Sequence, residues 1–528
     1  MEGMSTIPPA LGRDASDLAA FGYRQRLDRT LGGFSSFAAG FSYLSILTGL
    51  PQLFYLGFGA GGPAFFWTWP AVFAGQSLVA LCFAELAAEY PLSGGVYQWA
   101  KRIGPGAVGW LAGWIYLACA VISLASVALA LQGTLPRVAP WFQAVGDPAN
   151  PADSARNAVR LGCGLIALST LVNVAGVRWL ARINNVGVFA EMAGAALLIV
   201  LLAARARRGP EVVLETQGRG LGLPLGYFGA FLAAALTPSF VMYGFDTAGA
   251  LAEETADPRR KAPRAILGSL AAVGVAGALL ILGALRAAPD LADPDLGRPG
   301  GGMPAIIKDV LGSGWGRLLL VDVALAITVC ALTVHAAAVR LIFAMARDND
   351  LPWSESLAAL PGPSTTPRLP AVLLGGAAMA VLLANANFPR IVELLASVAI
   401  VWANLGYLFV TVPLLVRRVR GGPSGRGRPL DGRFRLGRWG LPVNLLAVAW
   451  GLAIVVNVGW PRPKVYGDSW PRRFVAPLAT GALLGVGGLY YGYGRPRRRE
   501  VGVLPGHRAP GLVDGPAGAS GPIEERPG

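Results

Sequence analysis

Charged residues are scarce in this sequence. They make up 14% of the 528 residues, whereas 54% are hydrophobic, and an ordinary soluble domain has about a quarter of its residues charged. The scarcity excludes a soluble chain of several domains, each with its own polar surface. Apolar runs instead recur from Leu31 to Tyr493, with polar sequence confined to short gaps. Because a helix needs about 20 mostly apolar residues to cross a bilayer, the pattern predicts one membrane domain between two polar tails.

Cysteine and histidine are also rare, which excludes several kinds of site. The four cysteines fall inside predicted spans at unrelated spacings, and they indicate neither a disulfide framework nor a thiolate metal site. One of the two histidines lies in the C-terminal tail, and no H-E-x-x-H or paired-aspartate motif is present. A membrane enzyme is therefore not expected, and neither is a resident metal or cofactor.

The net charge of +15 is explained by membrane topology rather than by a nucleic-acid partner. Arginine and lysine concentrate in segments 259–264 and 417–438, whereas the first outer loop, 57–63, has none. Under the positive-inside rule, both termini are expected in the cytoplasm, with the protein in a plasma membrane, the inner membrane of a bacterium. No cleavable signal peptide is expected, because the polar N-terminal segment contains no apolar core.

The pattern predicts an all-α integral membrane protein, because unpaired backbone groups cannot face lipid and the apolar runs are too long for barrel strands. The predicted spans are 32–56, 65–90, 107–132, 158–177, 183–204, 226–253, 263–287, 316–346, 369–388, 390–416, 441–461 and 474–493. The predicted divisions are a cytoplasmic N-terminal tail (1–31), a core (32–416) with halves 32–204 and 226–416, a basic cytoplasmic loop (417–440), accessory helices (441–493) and a disordered tail (494–528).

Spans one and six each carry small and helix-breaking residues in the middle. Span one contains Thr48-Gly49-Leu50-Pro51, and span six contains Pro238-Ser239 followed by Gly244-Phe245-Asp246. Freed backbone groups at membrane depth are tolerated only where they line a cavity. Interruptions at matching positions five spans apart are typical of a transporter site, so breaks are predicted near Thr48–Gly49 and Tyr243–Gly244. Close helix packing is the alternative explanation for these residues.

Several motifs resemble one family of membrane carriers. The segment FAELAAEYPLSGGVYQWAKRIGP (83–105) resembles the inner-loop signature of the amino acid–polyamine–organocation superfamily, and SFVMYGFDTAGALAEETADPRRKAPRAI and AVRLIFAMARDNDLPWS resemble its sixth and eighth spans. The opening YRQRLDRTLGGFSSFAAGFSYLSILTG is similar to the amino acid/choline branch, which includes GABA and choline permeases. The resemblance implies a five-plus-five inverted repeat of the LeuT type, with spans eleven and twelve outside the core.

An amino acid substrate asks for two different surroundings. Its carboxylate is best held by free N–H groups at the N-terminus of a half-helix, and its ammonium by carbonyls, aromatic faces or a carboxylate. The first break offers free N–H groups for the carboxylate, and the second break offers carbonyls, aromatic faces and a carboxylate for the ammonium. By resemblance, Phe240 is an aromatic gate and Asp246 an acidic gate, although Asp246 could instead cap a half-helix. The candidate substrate-binding residues are Ser45, Ile46, Leu47, Thr48, Gly49, Phe240, Tyr243, Gly244 and Asp246.

Two titratable residues inside spans are candidates for proton coupling. Glu191 lies about two turns inside span five without a basic neighbour, and a carboxyl group buried in a medium of low dielectric constant can serve as a proton carrier. Related proton-coupled permeases are understood to carry a lysine there, so this chain departs from that pattern. Glu191 could equally bind the substrate amine or hydrogen-bond to span one. His335 in span eight suits a proton relay, or it is a hydrogen-bonded core residue.

Other polar residues suggest gates. By resemblance, Glu85 and Glu89 at the end of span two belong to an inner gate, and they are expected to pair with Arg259, Lys261 or Arg347. Asp322 in span eight is expected to line an outer vestibule. Two aromatic residues of span three are expected either in the pocket or as interfacial anchors, namely Trp114 and Tyr116.

These observations predict a secondary active transporter that imports an amino acid or a related amine by alternating access, coupled to protons. Substrate exchange and transport of choline, a polyamine or GABA remain alternatives. Sodium coupling would need hydroxyl groups of span eight beside the first break, for which Thr328 and Thr333 are available. A channel or sensor on the same fold is a further alternative, although neither a filter loop nor a ring of like charges is evident.

Overall fold

The computed structural model describes residues 18–27, 29–148, 150–222, 225–360, 366–384, 386, 388, 390–421, 434–462 and 469–494. Most of the predicted basic loop (422–433) and of the two tails (1–17 and 495–528) lies outside the described residues.

The described part of the chain is built from helices and contains no strand, and an isolated β-bridge joins Leu31 to Thr255. The helices are α1 (Gly33–Leu44), α2 (Ile46–Gly61), α3 (Thr68–Glu89), α4 (Gly95–Ile103), α5 (Gly106–Leu129), α6 (Leu131–Val138), α7 (Pro151–Ala175), α8 (Val177–Ala204), α9 (Gly226–Ala234), α10 (Leu236–Val241), α11 (Thr247–Ala250), α12 (Pro258–Ala287), α13 (Met303–Arg347), α14 (Ser354–Leu357), α15 (Arg368–Ala384), α16 (Ile391–Val419), α17 (Gly440–Gly459), α18 (Trp470–Arg473) and α19 (Val475–Leu489).

The predicted all-α membrane fold is confirmed. Among the described residues, 10 helical stretches are long and apolar enough to cross a bilayer. Two shorter apolar helices, Gly226–Val241 and Arg368–Ala384, correspond to predicted spans six and nine. Large apolar side chains face outwards from the bundle, among them Phe189, which is 72% exposed. Such a surface is suited to contact with lipid rather than with water.

Three predicted span boundaries are displaced. Spans four and five begin earlier than expected, at Pro151 and Val177. Span eight, predicted to begin at residue 316, begins at Met303, so the preceding stretch is the first part of α13. A bend separates that stretch from the apolar part of the helix at Gly312, whose φ of 70° is accessible mainly to glycine.

Span one is broken at Ser45, three residues before the predicted position. Ser45 has φ 32° and ψ 95°, and it is the single residue between α1 and α2. Thr48 and Gly49 therefore lie in the first turn of α2. Gly49 allows close packing and does not break the helix: a Cβ atom at this position would lie 2.7 Å from Cγ2 of Val241.

Span six is broken between Val241 and Thr247, as predicted around Tyr243–Gly244. Gly244 has φ 94°, and a Cβ atom there would lie 1.9 Å from Cδ1 of Tyr43 in span one. Glycine is required at this position both by the backbone conformation and by the close approach of the tyrosine ring. Spans one and six thus meet where each is interrupted.

The remaining helices support this crossing. The helix α5 packs on α16, α3 packs on α12, and α8 packs on α13. The accessory helix α17 lies against α16 and α3, and α19 contacts α16 and α5. The accessory helices therefore lie against α3, α5 and α16, and α17 also contacts α9, the first part of span six.

Candidate functional site

A small cavity with room for about one water molecule lies beside the two breaks. Four of the predicted substrate residues line it, and the other five are buried nearby without lining it. The lining residues are Tyr43, Leu44, Thr48, Gly49, Ser123, Val127, Phe240, Tyr243, Cys330 and Val334.

One side of the cavity is aromatic. The Tyr243 ring meets the Tyr43 ring edge-on at a centroid distance of 6.1 Å, and the Phe240 ring at 5.9 Å. The hydroxyl groups of Tyr243 and Ser123 share a hydrogen bond of 2.8 Å. Sequence reasoning missed Ser123, although a hydroxyl residue in the apolar run of α5 was a detectable signal. The cavity therefore combines ring faces and edges with hydroxyl groups.

The carboxyl group of Glu191 lies at the N-terminus of α2. Its Oε1 atom accepts hydrogen bonds from the Ser45 hydroxyl, at 2.8 Å, and from the Leu47 amide, at 3.2 Å. Its Oε2 atom has no hydrogen-bond partner among the described residues, and the residue is 1% exposed. The Ser45 hydroxyl also contacts the Thr48 hydroxyl at 2.5 Å. Glu191 thus occupies the anion-binding position that the sequence predicted for the substrate carboxylate.

Asp246 is held by two tyrosines at the second break. Its Oδ1 atom accepts hydrogen bonds of 2.7 Å from the hydroxyl groups of Tyr116 and Tyr407. The Tyr407 hydroxyl in turn accepts a bond of 2.7 Å from the Gly244 amide. Asp246 occupies the position before α11, yet its side chain makes no capping bond. Sequence reasoning missed Tyr407, because nothing in the apolar run of α16 marks it as a polar contact.

The hydroxyl groups considered for sodium have other partners. Thr333 donates to Oδ1 of Asn184 at 2.8 Å, and Ser42 donates to the same atom at 2.7 Å. Thr328 bonds the carbonyl of Ala324 in its own helix. In the described part of the chain, no group of three or more histidine, cysteine or acidic residues is arranged to hold a metal ion.

His335 uses both ring nitrogens within the core. Nδ1 lies 3.0 Å from the Ser169 hydroxyl, and Nε2 lies 2.9 Å from the Ala371 carbonyl oxygen. The residue is fully buried and joins α13 to α7 and α15. This geometry fits the core-residue interpretation better than a relay.

The predicted side-chain pairs of the inner gate are wrong. Glu89 pairs with Arg417 at 2.9 Å, and Glu85 pairs with Arg418. Arg259 instead donates to the backbone carbonyls of Ala88 and Glu89, each at 3.0 Å. The side chain of Lys261 passes beside Gly33 at the start of span one. The two acids at the end of α3 face the arginines at the end of α16, a proximity that only the packing of distant spans creates.

Two buried ion pairs connect the end of span eight to the segment after span six. Arg347 forms hydrogen bonds of 2.9 and 3.0 Å with Glu253. Arg340 forms bonds of 2.8 and 3.3 Å with Glu254. All four side chains are at most 2% exposed. Bidentate arginine–carboxylate pairs fix geometry strongly, so these pairs hold the facing ends of spans six and eight together.

Asp348 collects several donors on the same side of the bundle. It accepts bonds from Lys101 at 2.8 Å, Tyr23 at 2.9 Å and Tyr97 at 2.7 Å. Burial alone would raise the pKa of Asp348, but Lys101 and Arg347 outweigh burial and hold that pKa below its ordinary value. The cluster ties the segment before span one to α4 and to the end of α13.

A hydrogen bond joins spans one and ten on the opposite side. The Tyr55 hydroxyl donates a hydrogen bond of 2.7 Å to Oε1 of Glu393, and both residues are buried. Spans six and eight are thus joined on one side of the cavity, and spans one and ten on the other. A multi-pass helical protein with a closed cavity between two interrupted helices belongs to the class of membrane transporters.

Comparison with known proteins narrows this class. The family described as amino acid permease matches residues 31–483. The chain therefore belongs to the amino acid permease family, and it is a multi-pass membrane transporter of amino acids rather than an enzyme.

Relatives of similar length come from plants and fungi. Amino-acid permease BAT1 of Arabidopsis thaliana is 25% identical, covering 92% of this chain and 95% of the relative. Amino-acid permease 2 of Neurospora crassa is 25% identical, with 87% and 84% covered. The GABA-specific permease of Saccharomyces cerevisiae is 22% identical, with 90% and 83% covered.

Proposed function

We propose that the protein imports an amino acid or a related amine by alternating access, and that each cycle is coupled to a proton through Glu191. The observation that carries this proposal is the position of the Glu191 carboxyl at the N-terminus of α2. A helix N-terminus favours anions. The charged Glu191 side chain and the carboxylate of a substrate therefore compete for the same donors.

Protonation of Glu191 removes this competition. A neutral carboxyl group has less affinity for the positive end of the helix dipole, so the donors at Ser45 and Leu47 become available to a substrate carboxylate. One proton thus enters with one carboxylate, and the net charge beside the break is unchanged. Loss of the proton inside the cell would return Glu191 to the helix and expel the substrate. This exchange of one anion for another supplies the coupling without a second charged residue.

The amine end of the substrate is expected on the other side of the cavity. The Phe240 and Tyr243 rings line that side, and aromatic faces attract cations. Asp246 lies behind them, with Tyr116 and Tyr407 bound to one of its oxygens. A negative charge on Asp246 attracts an ammonium group in the cavity. Asp246 also binds Tyr407, whose hydroxyl group accepts a hydrogen bond from the Gly244 amide.

Alternating access requires that one side of the cavity open at a time. The Arg347–Glu253 and Arg340–Glu254 pairs are the candidate inner gate, and the Tyr55–Glu393 contact is the candidate outer gate. The positive-inside rule supports a plasma-membrane orientation with both termini in the cytoplasm. Under this topology, the buried ion pairs lie on the cytoplasmic side.

The experiment measures uptake into liposomes, with and without an inward pH step, for wild type and Glu191→Gln. Wild-type uptake is expected to rise with the pH step, and the variant is expected to take up substrate equally in both conditions. Counterflow, in which labelled substrate exchanges for unlabelled substrate, tests whether the variant still binds and moves substrate. Equal wild-type uptake with and without the step would contradict proton coupling.

Substrate exchange and GABA or choline transport are tested by the same liposomes. An obligatory exchanger shows uptake only when substrate is already inside. A thermal-shift screen of amino acids, GABA, choline and polyamines identifies the substrate class, because a ligand that binds only the folded state raises its stability. The anion site at α2 favours substrates with a carboxylate, so choline and polyamines are expected to give the smallest shifts. A flux that does not saturate with substrate would indicate a channel.

A further inference from the structure

A second intramembrane carboxyl group, that of Asp322, lies between α13 and α8. A Cβ atom added at Gly194 of α8 would lie 1.7 Å from Oδ2 of Asp322. That oxygen is buried and has no hydrogen-bond partner among the described residues. Only glycine at position 194 leaves room for the carboxyl group against the helix backbone. An ionisable residue within a membrane span is costly and usually functional.

Asp322 and Glu191 belong to the same helix–helix contact. Gly194 follows Glu191 by three residues, which places both on one face of α8, about 4.5 Å apart along its axis. Each acid has one buried oxygen without a partner in the described part of the chain. A negative charge on either carboxyl group disfavours a negative charge on the other, so the state in which one of the two acids is protonated is favoured over the state in which both are charged.

The two acids differ in burial and in their depth in the membrane. Glu191 is enclosed by protein, whereas Asp322 is half-buried. In the topology proposed above, α8 runs outwards and α13 runs inwards, so Gly194 and Asp322 both lie on the outer side of Glu191. A proton from the outside therefore reaches Asp322 before it reaches Glu191.

Few other charged groups surround the pair. Besides Asp322, α13 carries Arg317 five residues before it and brings the thiol of Cys330 within electrostatic reach of Glu191. The other charged residues and the histidine of α13 lie farther from Asp322 along the helix: Lys308, Asp309, His335, Arg340 and Arg347. The helices α1 and α2 contain no acidic, basic or histidine residues and contribute only Tyr43 and Tyr55 as titratable groups. The charged residues of the other helices packed on α8, and of α8 itself, lie towards the helix ends: Arg259, Arg260, Lys261, Arg264 and Arg286 of α12; Asp153, Arg156 and Arg160 of α7; and Arg178 and Arg182 of α8.

We infer that Asp322 delivers the coupling proton to Glu191 from the outer side of the membrane. This inference rests on the proposed proton coupling and adds the route by which the proton arrives. Protonated Asp322 loses the proton from its carboxyl oxygen as a new O–H bond forms on the Glu191 carboxylate. The pair keeps a net charge of −1 throughout the transfer. Asp322 becomes a carboxylate again and takes the next proton from outside.

The test compares wild type, Asp322→Asn and Glu191→Gln in liposomes across external pH values. Asp322→Asn is expected to slow gradient-driven uptake by about tenfold or more, since a positioned proton donor typically contributes at least that factor. Its counterflow rate, which needs no net proton movement, is expected to stay close to wild type. The external pH dependence of uptake is expected to flatten in the variant, a change that a purely structural role for Asp322 would not produce.

A second variant reaches the same carboxyl group without removing it. Gly194→Ala places a methyl group where Oδ2 of Asp322 now lies, so it should displace the acid and reproduce the altered pH dependence. The matched control is Gly164→Ala in α7, where an added Cβ atom would meet nothing within 4 Å. This pair gives an answer even if Asp322→Asn fails to fold.

The outcomes separate the two proposals. Equal wild-type uptake with and without the pH step would contradict proton coupling itself. Suppose that Glu191→Gln loses the response to the pH step, while Asp322→Asn or folded Gly194→Ala keeps it with the same pH dependence as wild type. That result would overturn only the relay through Asp322.

Discussion

The hydroxyl group of Ser45 donates a hydrogen bond of 2.8 Å to Oε1 of Glu191. Ser45 is the residue at which span one is broken, and its φ of 32° is uncommon for a residue other than glycine. The bond therefore fixes an acid of span five at the break in span one. Strained backbone of this kind occurs often at ligand sites, where surrounding contacts hold it.

Replacement of Ser45 by alanine should loosen this connection. The variant loses a hydrogen bond to a charged acceptor, which contributes about 1.5–3 kcal/mol. The charged form of Glu191 is then less well held, so half-maximal uptake should occur at a higher external pH. Uptake measured across pH values checks this. Ser77→Ala is the control, because that hydroxyl bonds only the carbonyl of Phe73 in its own helix, and an equal shift in both variants would contradict the prediction.

Tyr407→Phe should weaken substrate binding. The change removes the bond to Asp246 and leaves the Gly244 amide without its acceptor, and loss of a buried partner costs about 1–3 kcal/mol. We expect KM to rise by about tenfold, because 1.4 kcal/mol corresponds to one order of magnitude, with a smaller change in maximal rate. Initial uptake rates give both parameters. Tyr493→Phe is the matched control. Because Tyr493 is 92% exposed, this substitution should leave KM unchanged.

Gly244→Ala should abolish transport. The added methyl group would overlap the Tyr43 ring, and the backbone conformation disfavours any residue with a Cβ atom. Substrate uptake and the thermal unfolding temperature are the measurements, and both are expected to fall. Gly376→Ala is the control, because nothing lies within 4 Å of its added Cβ atom. Full transport by the Gly244 variant would show that the close contact between spans one and six is dispensable.

Arg347→Ala should destabilise the closed inner side. Removing one member of a buried ion pair leaves the other, Glu253, uncompensated at a cost of about 3–5 kcal/mol. We expect the cavity to become more reactive to a membrane-impermeant thiol reagent applied from the cytoplasmic side, measured at the lining residue Cys330. Arg298→Ala is the control because its pair with Asp295 is exposed. Unchanged labelling would argue that the Arg347–Glu253 pair does not gate the cavity.

Asp348→Asn should lower stability at neutral pH but not in strong acid. Lys101 and Arg347 hold the pKa of Asp348 low despite burial. A carboxyl group with a depressed folded-state pKa stabilises the protein above its unfolded pKa, about 3.9, and this contribution is lost as the pH falls through the folded pKa. The unfolding temperatures of variant and wild type should therefore differ at pH 7 and converge only below about pH 4. A constant difference at every pH would refute the prediction.

His335→Gln should retain the response to a pH step. Both ring nitrogens already have partners in the core, so the variant should lose about 1 kcal/mol of stability for each weakened bond without losing coupling. The pH-step uptake assay measures the first property and thermal unfolding the second. If the variant folds normally but does not respond to the pH step, His335 takes part in proton coupling and the prediction is wrong.

Much of the architecture is predictable because the bilayer imposes it. Long apolar runs must form helices in lipid, so the spans were recognisable from composition and length alone. Gly244 was identifiable as a break, since glycine with its neighbours signals an interrupted helix. The predicted break in span one lies three residues after the observed one. Gly49 and Pro51 indicate the region, but the helix is interrupted at Ser45.

The site depends on contacts between distant spans. Glu191 was recognisable as an isolated acid in an apolar run, but no local pattern shows that it lies at the N-terminus of α2. Likewise, the partners of Glu85 and Glu89 come from span ten, and Tyr407 reaches Asp246 from the same helix.

The membrane class, the helical fold and the approximate places of the two breaks can be predicted from the sequence, because they follow from hydrophobic length and local backbone preference. The side chains that meet at the breaks, and the ion pairs that join the ends of spans six and eight, are visible only in the folded structure. Such pairings depend on how helices far apart in sequence pack together, and the packing of one side chain against another is not encoded in any short stretch of the chain.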